Sequence, residues 1–333
     1  MQQPVLVSIV SAYYNRQDWV DNTIESLINQ TYSNIEIIIF DDASTDDTYE
    51  KLHAYAEKDK RIKLIRFAQN KGFVLGMIEA IAMCQGEYIA IQGSGDISFP
   101  ERIAKQADIL AANPKIGLVG SLRNVVNKSS LDKLYAFKNN SWVEGEAFSG
   151  DASKLILKKN LFSHGEVMFR KSVYDKCGGY REIFTFAQDR DLWIRMSKIC
   201  QFHTIPEVLY ERYFIEGAVS INPEKRLIQR LLSELAVQCG ETETGNKDIV
   251  QKYGLQAPFF LKPSRRLSID LSKMAIKWLN QNEIAAAKVF AVAACNQKPN
   301  LMCYLVLFMV TKLPLNISLL INKLMFKIHK LTI

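Results

Sequence analysis

Asp41-Asp42-Ala43-Ser44-Thr45-Asp46 follows without a break on the apolar run Ile35-Glu-Ile-Ile-Ile-Phe40. Carboxylates and hydroxyls placed there stand at the carboxyl end of a buried strand, where open α/β sheets bind ligands. A ligand met by carboxylates, with no Gly-rich phosphate cradle, points to a base, a ribose or a sugar hydroxyl rather than a bare phosphate. Asp42 would accept a hydrogen bond from a nucleobase N–H or a ribose hydroxyl. The same residues also suit helix capping, and Asp46 is the best placed of them to cap. A second carboxylate group lies in Ala187-Gln-Asp-Arg-Asp-Leu-Trp-Ile-Arg195. Leu192, Met196 and Ile199 share one helical face, which turns that helix inward and leaves Asp189 at its N-terminal mouth. The helix dipole favours an anion there. A positioned carboxylate can take the proton from a sugar hydroxyl, a step worth about 10²–10⁴ in rate. The bland alternative for Asp189 is an ordinary N-cap, and Asp191 pairs with Arg195 one turn on. Lys71, in Asn70-Lys71-Gly72, would either meet a diphosphate or remain a solvated surface lysine.

These residues need a scaffold, and the first 120 positions supply one. Apolar runs at 5–12, 35–41, 62–67, 87–92 and 116–122 predict buried strands. Amphipathic stretches at 18–30, 46–58, 72–84 and 100–112 predict the helices between them, with Asp18 and Ser44 through Asp46 as N-caps and Pro100 at a first helical turn. That alternation requires right-handed crossovers and a parallel sheet covered on both faces. Short strands at 165–170 and 202–212 and a helix at 187–199 follow. From 222 onward only helical patterns appear, at 222–238, 264–281, 283–295, 300–312 and 314–330, with 240–248 as a linker.

Four segments together resemble the inverting glycosyltransferases of family 2: the first strand with its loop, the Asp41-Asp42 strand, Gly86-Glu87-Tyr88 through Pro100-Glu101-Arg102, and the Gln188-Asp189 segment. The resemblance covers roughly 5–220 and implies a GT-A-like α/β fold. Its mostly parallel sheet would bind a nucleotide-sugar, ahead of a C-terminal helical region. It implies a catalytic domain over 1–221, divided into a nucleotide-sugar half (1–122) and an acceptor half (123–221), and a helical region over 222–333. Asp42 aligns with the base-reading Asp, flanked by Ala12 and Tyr14, and Asp189 with the acceptor base. His164 either lines the acceptor site or is a structural histidine; Arg212 falls on the acceptor side and is a candidate, with Lys71, to meet phosphate charge. The family usually carries Asp-x-Asp-Asp after the fourth strand. Here the first and third positions are Gly93 and Gly95, Asp96 survives, and Phe214 stands where a histidine often follows. A divalent metal (Mg²⁺ or Mn²⁺) is therefore expected to be weakly held at Asp96 or dispensable, with glycine N–H groups open to an anion instead. The reaction implied is inverting transfer from a nucleotide-diphosphate sugar to a hydroxyl of a glycan or lipid-linked acceptor. A nucleotide-sugar-binding protein that has lost turnover is the alternative. A dehydrogenase is disfavoured because no G-x-G-x-x-G follows the first strand.

The chain has 333 residues and a net charge of +7, unevenly spread. Residues 222–333 carry 16 Lys+Arg against 7 Asp+Glu, and no acidic residue follows Glu283. With no nucleic-acid-binding motif, nucleic acid is not expected as a partner, and the basic tail points to an anionic membrane surface. Leu301–Val310 is an apolar run about half as long as a spanning helix. Further on, Lys323, Lys327 and Lys330 share one helical face, with Leu320, Leu324 and Leu331 on another. Six cysteines without a C-x-x-C pair, and no secretory signal pattern, fit a cytoplasmic protein at the inner face of the cell membrane.

Overall fold

The computed structural model describes residues 4–127, 141–214, 222–243 and 245–317. The first half alternates as its hydrophobic periods require. The elements are β1 (Val7–Tyr13), α1 (Val20–Ile28), β2 (Ile35–Asp41), α2 (Thr48–Lys58), β3 (Ile62–Arg66), α3 (Phe73–Ala82), β4 (Tyr88–Gln92), β5 (Ile97–Ser98) and α4 (Arg102–Ala112). Then come β6 (Ile116–Asn127), β7 (Ser141–Glu144), β8 (Ser149–Gly150), α5 (Ser153–Lys158), β9 (Met168–Arg170), α6 (Lys171–Lys176), α7 (Gln188–Met196) and β10 (Gln201–Phe214). The remainder is helical: α8 (Pro223–Gly240), α9 (Ile249–Tyr253), α10 (Arg265–Asn280), α11 (Ile284–Cys295) and α12 (Leu301–Lys312).

One sheet runs in the order β3-β2-β1-β4-β9-β6-β10-β5, with β7 beside β6 and β8 beside β10. β1, β2, β3 and β4 are parallel neighbours, and β9 runs antiparallel between β4 and β6. Every residue of β2 is buried, as expected of a parallel strand covered on both faces. That burial extends to Glu36, whose carboxylate accepts from the Ser8 hydroxyl (2.5 Å), Lys63 Nζ (2.7 Å) and the Gln85 N–H (2.6 Å). A buried carboxylate is tolerable only when its lone pairs are filled in this way.

The chain forms two compact units. The first holds the described residues of 4–127, 141–214 and 239–255, and the second those of 222–238 and 256–317. The stretch 240–248, expected to be a linker, is therefore built into the first unit. Arg181 reaches Asp248 at 2.7 Å, and Lys198 Nζ donates to the Thr242 carbonyl at 3.1 Å. Two hydrogen-bonded anchors hold a segment whose Gly, Thr and Glu content reads as flexible. Asp18 does not cap α1, which starts at Val20 after a 3₁₀ turn with no side-chain cap; Asp46 does hold the start of α2, accepting the Thr48 N–H at 3.0 Å.

In the second unit α10, α11 and α12 pack together around Leu271, Trp278, Phe290, Cys303, Val306 and Met309. The apolar run 301–310 thus buries one face in a helical core. No described helix is long and apolar enough to cross a membrane. The lysine-faced stretch at 320–331 lies outside the described residues.

Candidate functional site

The carboxyl ends of β1, β2 and β4 gather the loops that the sequence marks for chemistry. Tyr13 and Asp41, neighbours in register, end their strands together, and the Asp42 N–H donates to the Tyr13 carbonyl at 2.8 Å. Asp42 turns its carboxylate onto the next crossover: Oδ1 accepts from the Lys71 N–H (2.7 Å) and Oδ2 from the Gly72 N–H (3.0 Å), while its carbonyl accepts from Asn70 Nδ2 (3.1 Å). Asp42 thereby fixes the start of α3, and each oxygen keeps lone-pair capacity for a ligand donor. Half-buried Ala12 lies beside Phe40 in the β1–β2 register, and Tyr14 exposes its ring at the strand end. Asn15 and Ala43, in the two adjoining loops, hold left-handed backbone (φ 50° and 62°). For residues other than glycine this costs roughly 1–2 kcal/mol each, a strain that concentrates at functional loops.

The turn after β4 departs from expectation. Gly93 donates its N–H to the Tyr210 hydroxyl at 3.0 Å, and Gly95 donates its own to Thr23 Oγ1 at 3.0 Å. Both donors are consumed inside the protein, so the expectation that they stay open to an anion is overturned. The glycines answer to space and backbone instead. A Cβ on Gly93 would lie 2.3 Å from Asp96 Oδ2, and Gly95 has φ +105°. Asp96 points toward β10, accepting from the Tyr210 hydroxyl (2.7 Å) and the Tyr213 N–H (3.0 Å). Burial raises its pKa, while those donors and the charges of Arg212 and Arg102 pull it down. Arg212 thus acts on the turn after β4.

A metal is tested by these same atoms. Among the described residues no three His, Cys, Asp or Glu side chains converge on one point. Asp96 is a lone carboxylate whose oxygens turn toward Tyr210 and Tyr213, and it fills the place where a second carboxylate on residue 93 would stand. This donor set does not fit a carboxylate-held Mg²⁺ or Mn²⁺.

Across β9 lies the other half. Asp189 sits in the first turn of α7, whose preceding residue Ala187 is left-handed (φ 60°), and its Oδ2 accepts from Asn160 Nδ2 at 2.8 Å. His164 Nε2 contacts the Tyr180 hydroxyl at 2.6 Å. Its ring meets Phe73 edge-on at 5.3 Å and stacks at 6.1 Å on Trp193. Burial holds the His164 pKa down to about 4, with the charge of Asp189 pulling the other way. His164 is therefore neutral near pH 7, and through Phe73 it joins the start of α3 to the α7 side. Asp191 is structural, as its spacing predicts: it pairs with Arg195 at 2.7 Å and with Arg181.

Lys71 binds Glu79 at 2.7 Å and covers the Phe67 ring at 4.2 Å, which matches the surface-lysine alternative. Sequence reasoning missed Tyr210, Arg102 and Glu166. Arg102 is wholly buried, donating to Gln92 Oε1 (3.0 Å), Ser98 Oγ (2.6 Å) and the Ile91 carbonyl (2.7 Å), with burial lowering its pKa to about 10. Glu166 is wholly buried against Arg123 at 2.8 Å, and burial pushes its pKa up to about 7. Polar residues inside apolar runs are the available signal for such groups. Tyr210 and Glu166 pair with Asp96 and Arg123, 114 and 43 positions away, whereas the three acceptors of Arg102 lie only 4 to 11 positions off. A cavity of about 690 Å³ lined by Lys115, Lys154, Lys198 and Gln201 lies at the amino ends of β6 and β10, away from this site.

Residues 8–178 match the family model described as Glycosyl transferase family 2. The chain belongs to glycosyl transferase family 2, and it is a glycosyltransferase. It is 30% identical to the O-antigen biosynthesis glycosyltransferase WbnJ of Escherichia coli, over 59% of this chain and 73% of that one. Its fold is similar to that of residues 1–349 of S. aureus TarS solved with UDP-GlcNAc (TM-score 0.58, 18% identity, 91% and 90% coverage). It is likewise similar to that of the mannosyltransferase PcManGT of Pyrobaculum calidifontis solved with GDP-Man and Mn²⁺ (TM-score 0.54, 17% identity, 92% and 79% coverage). The fold is GT-A-type, as the resemblance implied.

Proposed function

We propose that this family 2 glycosyltransferase performs inverting transfer of one sugar from a nucleotide-diphosphate donor to a hydroxyl of a glycan or lipid-linked acceptor in envelope polysaccharide synthesis. The observation that carries the reading is the placement of Asp189. Its carboxylate stands in the first turn of α7, within the electrostatic reach of His164, whose ring touches Phe73 at the start of α3. Asp42 secures that start of α3 through the Lys71 and Gly72 N–H groups. Base-side and donor-side residues thus share one end of the sheet.

In this reading the base of the nucleotide meets Asp42, with Ala12 and Tyr14 beside it. Asp189 takes the proton of the acceptor hydroxyl as that oxygen forms its bond to the anomeric carbon from the face opposite the leaving group. The bond from that carbon to the diphosphate oxygen breaks, its electron pair leaves with the nucleoside diphosphate, and the proton ends on Asp189. Asn160 orients the carboxylate, and His164, held by the Tyr180 hydroxyl and kept neutral by burial, leaves the proton to Asp189. Because the turn after β4 does not fit a carboxylate-held metal, transfer is expected to be weakly metal-dependent or metal-independent.

An anionic membrane surface at the inner face of the cell membrane is the proposed location. Its support is the excess of basic residues after position 222 and, on α12, the exposed Leu301, Tyr304 and Phe308 at helical spacing. The test of the function is mass spectrometry of products after incubation with UDP-, GDP- and dTDP-sugars and extracted envelope glycolipids. A mass increase of one sugar residue is the expected outcome. Donor binding with neither transfer nor hydrolysis would favour the binding-protein alternative.

A further inference from the structure

The strand order reverses at β1, which has β2 on one side and β4 on the other, and ligands of open α/β sheets lie outside the carboxyl ends at such a point. Two loops border that crevice, Tyr14–Gln17 after β1 and Gly93–Asp96 after β4. The first is tightly knitted to the loop after β2. The Asn15 N–H donates to Ser44 Oγ (2.9 Å), the Arg16 N–H to Thr48 Oγ1 (2.7 Å) and the Asp47 N–H to Gln17 Oε1 (3.0 Å). The second is fixed by Thr23, Tyr210 and Tyr213.

Between them stands the Arg16 side chain, and nothing in the fold accounts for it. It is partly buried, and among the described residues its guanidinium makes no hydrogen bond or ion pair. The two carboxylates whose charge acts on it, Asp96 and Asp46, are each engaged elsewhere: Asp96 by Tyr210 and Tyr213, Asp46 by Thr48 and the Gln17 N–H. Burial presses its pKa down, the cost of a desolvated cation without a partner. A guanidinium kept in that state on a rigid loop is preorganised for an incoming anion. Two other cations near the crevice are committed, Lys71 to Glu79 and Arg102 to Gln92, Ser98 and the Ile91 carbonyl.

We propose that Arg16 is a binding residue for the diphosphate of the donor, its planar fork meeting two phosphate oxygens where the turn after β4 supplies neither a carboxylate-held metal nor open N–H groups. This rests on the donor reading given above. Charge on the diphosphate grows as its bond to the anomeric carbon breaks, so the same guanidinium acts on the transition state as well as on the bound donor.

Calorimetric binding of UDP, GDP and dTDP, and of uridine, guanosine and thymidine, to the full-length protein tests the assignment. The wild type identifies the base; Arg16→Gln and Arg16→Lys are then compared with it. The expected result is at least a tenfold weaker Kd of Arg16→Gln for the preferred diphosphate, an unchanged Kd for its nucleoside, and partial recovery in Arg16→Lys. An unchanged diphosphate Kd overturns the proposal, and so does an equal loss for nucleoside and diphosphate, since Arg16 would then act through the loop. If the wild type binds none of the diphosphates, the donor reading fails and this assignment falls with it.

Discussion

The Tyr210 hydroxyl donates to Asp96 Oδ2 at 2.7 Å and accepts from the Gly93 N–H at 3.0 Å. A Cβ on Gly165 would lie 2.2 Å from that hydroxyl, and one on Gly93 would lie 3.1 Å from it. The phenol therefore accounts for Gly165 directly and, through the orientation it gives Asp96, for Gly93. It follows that restoring the family's usual acid, Gly93→Asp, does not create a metal site. It forces Asp96 out of its place and should destabilise the fold by about 1–3 kcal/mol, the usual cost of overpacking. Urea denaturation of Gly93→Asp and Gly93→Ala measures this, and stability equal to wild type in both would show that the turn has room.

Transfer should persist after exhaustive EDTA treatment, at a rate within severalfold of the untreated enzyme. A complete loss of activity that Mn²⁺ or Mg²⁺ restores would show that Asp96 recruits a metal with help from the donor diphosphate.

Positions 164 and 166 should give opposing pH dependences. The unfolded chain protonates a histidine near about 6.5, whereas folded His164 holds out to about 4, so its contribution makes stability rise with pH across that window. Glu166 runs the other way. An unfolded glutamate releases its proton near about 4.3, the folded one near about 7, so its contribution makes stability fall as pH rises between those values. Relative to wild type, Glu166→Gln should therefore gain stability with rising pH, at up to about 1.4 kcal/mol per unit between about 4.3 and 7. Urea titrations at pH 4.5, 5.5 and 6.5 read the difference, and parallel profiles would contradict it.

The basic tail is tested by a chain ending at Ile317, which keeps α12 in its helical core. This truncation should lose most binding to vesicles rich in anionic lipid, and full-length binding should weaken with salt because screening acts within about 8 Å at physiological ionic strength. Equal co-sedimentation of both chains would place the membrane contact elsewhere, with the exposed Leu301, Tyr304 and Phe308 as the next candidates.

Much of this was readable in advance where signals are local. The strands β1 to β4 and the helices between them follow from apolar runs, and the pairing of Asp191 with Arg195 follows from helical spacing alone. What stayed hidden depends on long-range partners. The consumption of the Gly93 and Gly95 N–H groups needs Tyr210 and Thr23, 117 and 72 positions away. The anchoring of 240–248 depends on Arg181 finding Asp248, 67 positions on. Arg16 is the inverse case: a charged residue in a polar loop looks ordinary until every neighbouring acid is seen to be occupied.

The most direct measurement compares Asp189→Asn with wild type for transfer and for donor binding. Loss of the base should cut the transfer rate by at least about a hundredfold and leave the Kd for the donor nucleotide nearly unchanged, because Asp189 acts on the acceptor hydroxyl. Near-normal transfer by Asp189→Asn would contradict the central claim that this carboxylate is the base.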